Sequence, residues 1–189
     1  MRIAIDAMGG DLAPAAPVAG AVASLLAYDD VQIVLVGASA NLEAALAEVE
    51  DAEAVRARVE IHDAPESVDR APDPVRAVRA TKNNSARACA QLLREGAVDG
   101  VITMGNTGAA VAAATLYAER LPGVRRLGIA VPFPRPGGVT IVTDCGANPN
   151  ARAEDLHQYA IMSREYVKHA LGVATPRIGI LSIGEEEYK

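Results

Sequence analysis

The sequence predicts a layered α/β/α fold around a mainly parallel sheet, and three observations carry that reading. Short apolar runs rich in β-branched residues alternate along the chain with longer stretches of Ala, Leu and Glu, the pattern of strands crossing over through helices. The expected strands end in Gly-containing polar segments at 6–11, 105–108, 144–148 and 184–187, as ligand loops do outside the carboxyl edge of a parallel sheet. Aromatic residues make up only 3% of the chain, which suits close packing of small-residue helices against a sheet.

Residues 2–6, Arg-Ile-Ala-Ile-Asp, read as a first strand, followed by Gly9, Gly10, Asp11 and a helix that starts near Pro14 and runs to about Leu26. Residues 31–36, Val-Gln-Ile-Val-Leu-Val, give a second strand, after which Gly37 and Ser39 open another helix. A shorter strand is expected over 59–62, then a proline-rich, acidic loop over 64–74. Pro74 begins a short helix carrying Arg76, Arg79 and Lys82 in three-residue steps, and Asn83, Asn84 and Ser85 cap the next one, to Arg94. Val101 to Met104 read as a strand buried on both faces, with helix from Ala109 to Leu121 behind it. Two apolar runs, 128–131 and 139–143, have no helix between them and should pair antiparallel or leave the sheet. A long helix over 153–171 and a last strand over 177–183 complete the order.

At 189 residues, half of them hydrophobic, the chain can bury one sizeable core and is read as a single α/β unit over 1–189. No apolar run approaches the length of a membrane span, and the start does not resemble a signal peptide. The two cysteines, Cys89 and Cys145, and three scattered histidines give no metal-ligand spacing. A cytoplasmic protein with no metal and no cofactor is expected. A formal net charge of −6 argues against a nucleic-acid partner.

The segment 100–121 carries the chemistry. Gly105 and Gly108 let backbone approach a ligand, Asn106 and Thr107 supply side-chain donors, and the helix behind offers its free N–H groups, an arrangement that binds a small anion. An ordinary strand-to-helix turn with Thr107 as N-cap is the plainer alternative. Repetition of such segments at successive strand ends favours one shared anion-binding pocket. The phosphate-loop and dinucleotide fingerprints are absent. Cys145 has no histidine near it in sequence and reads as a small packed residue rather than a nucleophile. Glu185, Glu186 and Glu187 suit a metal or a base as well as the first turn of a helix.

Taken together, the opening residues 1–11, Met-Arg-Ile-Ala-Ile-Asp-Ala-Met-Gly-Gly-Asp, the Met-Gly-Asn-Thr-Gly of 104–108, Asp144-x-Gly146-Ala147-Asn148 and the Ile-Gly-Glu-Glu-Glu of 183–187 resemble the PlsX phosphate acyltransferases of bacterial phospholipid synthesis. The resemblance implies transfer of a fatty acyl group from acyl carrier protein to inorganic phosphate. It implies a fold similar to that of phosphate acetyltransferases and the isocitrate and isopropylmalate dehydrogenases, a homodimer, and peripheral membrane association. Family members run well beyond Lys189, so the chain resembles an N-terminal part, and the membrane contact is expected in the C-terminal part of such proteins. Departures are Thr81-Lys82-Asn83-Asn84-Ser85 for the usual Lys-Lys-Asp-Ser-Ser, Cys145 for Val, Asp155 for the His of Glu-His-Leu, and Tyr188 for Gly.

Phosphate is already a nucleophile and a thiolate a tolerable leaving group, so the site need only hold the two reactants and stabilise an oxyanion. Asn106, Thr107, Lys82 and Asn148 are the expected catalytic donors; Gly9, Gly10, Asp11, Gly105, Gly108, Ser85, Asp144 and Gly146 are expected to bind substrate. Asp6, Asp11 and Asp144 are expected to orient donors rather than touch the anion. The basic stripe of Arg76, Arg79 and Lys82 suits an acidic carrier protein. A nicotinamide-dependent dehydrogenase of the related fold and a non-catalytic fragment stand as alternatives.

Overall fold

The computed structural model describes residues 1–68, 72–148 and 150–181. The chain packs as two compact units, Met1–Leu121 and Pro122–Lys189.

The first unit is built on a four-stranded parallel sheet of β1 (Arg2–Asp6), β2 (Gln32–Gly37), β3 (Val59–Asp63) and β4 (Gly100–Thr103), in the order β3-β2-β1-β4. Strand periodicity splits its side chains between two cores. Ile33 and Leu35 of β2 face the cluster with Val18, Val22 and Leu25 of α1 (Ala15–Ala27), Leu42 and Leu46 of α2 (Ser39–Ala47) and Val55 of α3 (Ala52–Val55). Val34 and Val36 face the opposite way, onto Ala88 and Cys89 of α5 (Ser85–Arg94). Leu25 and Leu35 are fully buried, each contributing about 1.5–3 kcal/mol. A third cluster joins α4 (Pro74–Ala80), through Val78, to the alanines of α6 (Thr107–Tyr117) and to α5. Helices therefore cover both sheet faces, as expected for an α/β layered fold with a mainly parallel sheet.

Caps set the helix starts that matter for the site. Asp73 accepts the Arg76 N–H at 3.0 Å ahead of Pro74, and Asn84 accepts the Arg87 N–H at 2.8 Å. Asn84, fully buried, also donates through Nδ2 to the Thr81 carbonyl at 2.5 Å and the Val78 carbonyl at 3.4 Å. That consumes carbonyls at the end of α4 and turns the chain into α5. Lys82 consequently lies beyond α4, not in line with Arg76 and Arg79 on one helix. Val78 is buried, whereas Val75 on the same helix is 46% exposed.

Two further corrections concern β4 and its helix. Among the described residues β4 is an edge strand, not one buried on both faces, and Ile102 is half exposed. Its helix starts at Thr107 rather than Ala109 and ends at Tyr117 rather than Leu121, with Asn106 and not Thr107 as the cap.

The second unit holds an antiparallel hairpin of β5 (Val131–Arg135) and β6 (Gly138–Val142), followed by α7 (Ala153–Ala170). The antiparallel pairing agrees with the sequence pattern, but β5 occupies the segment expected to be the connection. A two-stranded ribbon leaves both strands as edges, so Pro132 and Pro134 are tolerated, and Gly137 at φ +77° makes the turn. Asp155 closes the start of α7 by accepting the Arg152 N–H at 3.0 Å. Residues 177–181 carry no strand, and the rest of that expected strand, with Gly184 and the three glutamates, lies outside the described residues. No helix among the described residues is long and apolar enough to cross a membrane.

Candidate active site

β1 and β4 are parallel neighbours in register, with Asp6 opposite Thr103, so the polar segments behind them leave the sheet side by side. The Asp6 carboxylate, 2% exposed, accepts the Thr103 hydroxyl at 2.8 Å and the Met8 N–H at 3.3 Å. The Thr103 oxygen in turn accepts the Gly105 N–H at 3.2 Å. A single buried charge thus fixes the start of both loops.

Glycine is required where the loops touch. A Cβ on Gly9 would lie 2.8 Å from the Gly105 nitrogen and 2.9 Å from its Cα, and one on Gly10, at φ +95°, would meet the Met104 carbonyl at 3.0 Å. A Cβ on Gly108 would meet Pro74 of α4 at 3.0 Å. Asn106 accepts the Ala109 N–H at 3.0 Å through its side chain and the Ala110 N–H through its backbone carbonyl. The donors that α6 can present at its N-terminus are therefore the N–H groups of Thr107 and Gly108, beside the exposed Thr107 side chain.

The structure thus gathers Gly9, Gly10, Gly105, Asn106, Thr107 and Gly108. Asp11 is exposed in the turn after Gly10, and Lys82 is exposed between α4 and α5. Ser85 is 2% exposed at the start of α5, with its N–H on the Glu66 carbonyl at 3.1 Å. Burial pushes the Cys89 thiol up, the Asp6 carboxylate adding to it, so this cysteine stays protonated.

Asp144, Gly146 and Asn148 lie in the second unit and form their own closed loop. Asp144 accepts the N–H groups of Ile129 at 2.8 Å, Ala147 at 3.2 Å and Asn148 at 2.7 Å, and the Asn148 Nδ2 at 3.0 Å. Burial raises its carboxyl, but these donors outweigh that and hold it below the usual carboxylate range. Asn148 also donates through Nδ2 to the Leu127 carbonyl at 2.7 Å, which commits its amide locally. Asp144 thus holds the Asn148 side chain in place. Cys145 is half-buried, its thiol on the Val142 carbonyl at 3.3 Å.

Comparison with known proteins decides the family. A family described as fatty acid synthesis protein matches residues 1–189. The chain belongs to that family. Relatives called phosphate acyltransferase include those of Halothermothrix orenii, 41% identical over 189 residues and 56% covered, Geobacillus thermodenitrificans, 42% identical over 190 residues and 56% covered, and Bacillus subtilis, 40% identical over 190 residues and 55% covered. All of this chain is matched in each case, and the chain spans a little over half the length of these relatives.

Two contributors to the site are not evident from sequence reasoning. Thr103, two residues before a glycine, carries the signature of a hydroxyl that caps a nearby N–H, and the structure uses it that way. Pro74 reads in the sequence only as a helix start, and nothing local announces its contact with Gly108.

Proposed function

We propose that this chain forms the phosphate-binding part of a transferase that moves a fatty acyl group from acyl carrier protein to inorganic phosphate, giving acyl phosphate for phospholipid synthesis. The observation that carries the reading is the closed pair of glycine loops behind β1 and β4, with the first turn of α6 opening beside them. The naming of relatives matched across the whole chain as phosphate acyltransferases supports it.

In this reading a phosphate oxygen attacks the thioester carbonyl carbon, the tetrahedral intermediate expels the thiolate, and the C–S bond breaks after the C–O bond has formed. Thr107 Oγ1 and the N–H groups of Thr107 and Gly108 hold the phosphate. Gly9, Gly10, Gly105 and Gly108 keep the backbone close enough to do so, with Asp11 beside them. Asn106 fixes the turn and is read as a donor to the phosphate or the oxyanion, with Lys82 or Asn148 as the second donor, the Asn148 amide also serving Leu127 and Asp144. Asp144 and Gly146 shape the second loop. The reading extends to a fold like that of phosphate acetyltransferases and the isocitrate and isopropylmalate dehydrogenases, and to a cytoplasmic homodimer that meets the membrane peripherally.

The test is acyl phosphate formation from an acyl carrier protein thioester, trapped as the hydroxamate with and without phosphate. Phosphate-dependent hydroxamate is expected. Its absence, with a thermal shift produced by NAD and none by phosphate, overturns the reading in favour of the dehydrogenase.

A further inference from the structure

We infer that the outer face of α4, formed by Val75, Arg76 and Arg79, is the docking surface for the acidic carrier protein that delivers the acyl group; the inference rests on the transferase reading. At 100° per residue these three side chains fall within about 100° of arc, while Val78, about 60° beyond Val75, turns into the core. Val75, Arg76 and Arg79, with Asp73 and Ala80, line a shallow surface pocket of about 370 Å³. Asp73, the one acid there, is engaged as the cap of α4.

The charges on this face are distinguished by being unspent. Elsewhere in the first unit Arg2 pairs with Glu60 at 2.5 Å, Arg56 with Glu43 at 2.8 Å and Arg94 with Glu95 at 3.9 Å. Arg58 donates to the carbonyls of Tyr28 and Leu25, Arg87 lies 4.4 Å from the centre of the Tyr117 ring, and Arg120 is also engaged. Among the described lysines and arginines of this unit, Arg76, Arg79 and Lys82 alone have no ion pair, side-chain hydrogen bond or ring contact. In a chain of net charge −6, unpaired cations collected on one short helix and the turn behind it make a local positive patch. The exposed Val75 adds an apolar contact at the edge of that patch.

Position gives the patch its partner. Pro74, the residue before Val75, packs on Gly108 of the phosphate loop, so a protein seated on α4 holds its thioester arm beside the α6 N-terminus. The partner must therefore be acidic and carry an acyl thioester on a mobile arm, which is the chemistry of a carrier protein.

The test is charge reversal of both arginines, Arg76→Glu with Arg79→Glu, in the complete protein, beside Arg94→Glu as a control on α5. Steady-state kinetics are run with the carrier-protein thioester and with a small acyl thioester, at low and high salt. Docking predicts a rise of about fivefold or more in KM for the carrier substrate at low salt, shrinking at about 1 M salt where screening acts within about 3 Å, with the small thioester and phosphate unaffected. Direct titration with unacylated carrier protein should show the same loss of affinity, and an unchanged melting temperature marks a folded variant. Equal loss with both thioesters, no loss with either, or a rise in the phosphate KM overturns the docking inference alone. A wild-type protein that uses neither thioester overturns the transferase reading and the docking surface with it.

Discussion

The loop that follows β1 and the loop that follows β6 begin alike, each with an aspartate at a strand end and glycine close behind, yet they spend their hydrogen bonds in opposite ways. Asp144 draws in the N–H groups of Ile129, Ala147 and Asn148 and the Asn148 side chain, and its loop closes on itself. Asp6 takes one hydroxyl and one N–H, and that hydroxyl holds a third residue, so a single carboxylate fixes two loops and leaves the first turn of α6 facing outward. Aspartate beside glycine in a strand-end loop thus closes one loop on itself in one unit and ties two loops together in the other. What separates them is the count of donors each carboxylate consumes.

Removing Asp144 should therefore have the largest effect on stability. Asp144→Ala strands several donors of a half-buried loop and should lower unfolding free energy by about 2–4 kcal/mol, read from urea titrations. The charge itself shows in pH dependence. A carboxyl held low in the folded state contributes stability that is present above its unfolded value of about 4 and is lost as pH falls through the folded value. Wild type should lose stability as pH drops below about 4, and Asp144→Asn should flatten part of that loss. If Asp144→Ala and Asp6→Ala cost the same, the contrast between the loops fails.

Glycines sharpen the same contrast. Gly9 is confined by backbone of the neighbouring loop, so Gly9→Ala must push the loops apart. We expect a loss of about 1–3 kcal/mol and a raised phosphate KM. A Cβ on Gly146, at φ +105°, would meet nothing within 4 Å, so Gly146→Ala carries only backbone strain, about 1–2 kcal/mol by thermal melts. A Gly9→Ala protein with wild-type phosphate KM would sever the loop contact from the chemistry.

How far the sequence can be read depends on where each boundary is decided. β1 is legible to the residue because Arg2 and Asp6 bracket its apolar run locally. β4 looks fully buried in the sequence because Val101 and Ile102 report apolarity, whereas standing at a sheet edge is decided by which strands pair. The stripe ending in Lys82 breaks because Asn84 folds back on the carbonyls of Thr81 and Val78 and stops the helix. Asn148 looks like a free donor from its residue type, and its commitment to Leu127, 21 residues away, has no local sequence signal. The loops behind β1 and β4 are recognisable as polar and glycine-rich, but Thr103 as the link between them is not.

Asn106 tests whether the cap and the chemistry are separable. Asn106→Ala removes the acceptor for Ala109 and should cost about 1 kcal/mol of stability. Asn106→Asp keeps that acceptor and adds a negative charge that the helix N-terminus favours, so its melting temperature should match wild type. The same charge repels phosphate, so its phosphate KM should rise sharply. An aspartate variant with wild-type kinetics would remove this side chain from the anion site and leave it as a cap alone.

The smallest effect is expected at Cys145, in the loop that satisfies itself. Its backbone N–H is held by the Ile129 carbonyl at 3.0 Å, which no side-chain change disturbs. The thiol lies 3.3 Å from the Val142 carbonyl, a weak bond of a weak donor, and the site is only half-buried. Cys145→Val exchanges one small apolar group for another, so stability should move by less than about 1.5 kcal/mol and the rate of acyl phosphate formation by less than about twofold. Cys145→Ser, which keeps a nucleophilic atom but weakens packing, should be no more active than the valine variant. A folded Cys145→Val protein without activity, together with a serine variant that retains some, would make this sulfur a nucleophile. It would then move the reacting centre from the loops of the first unit to that of the second.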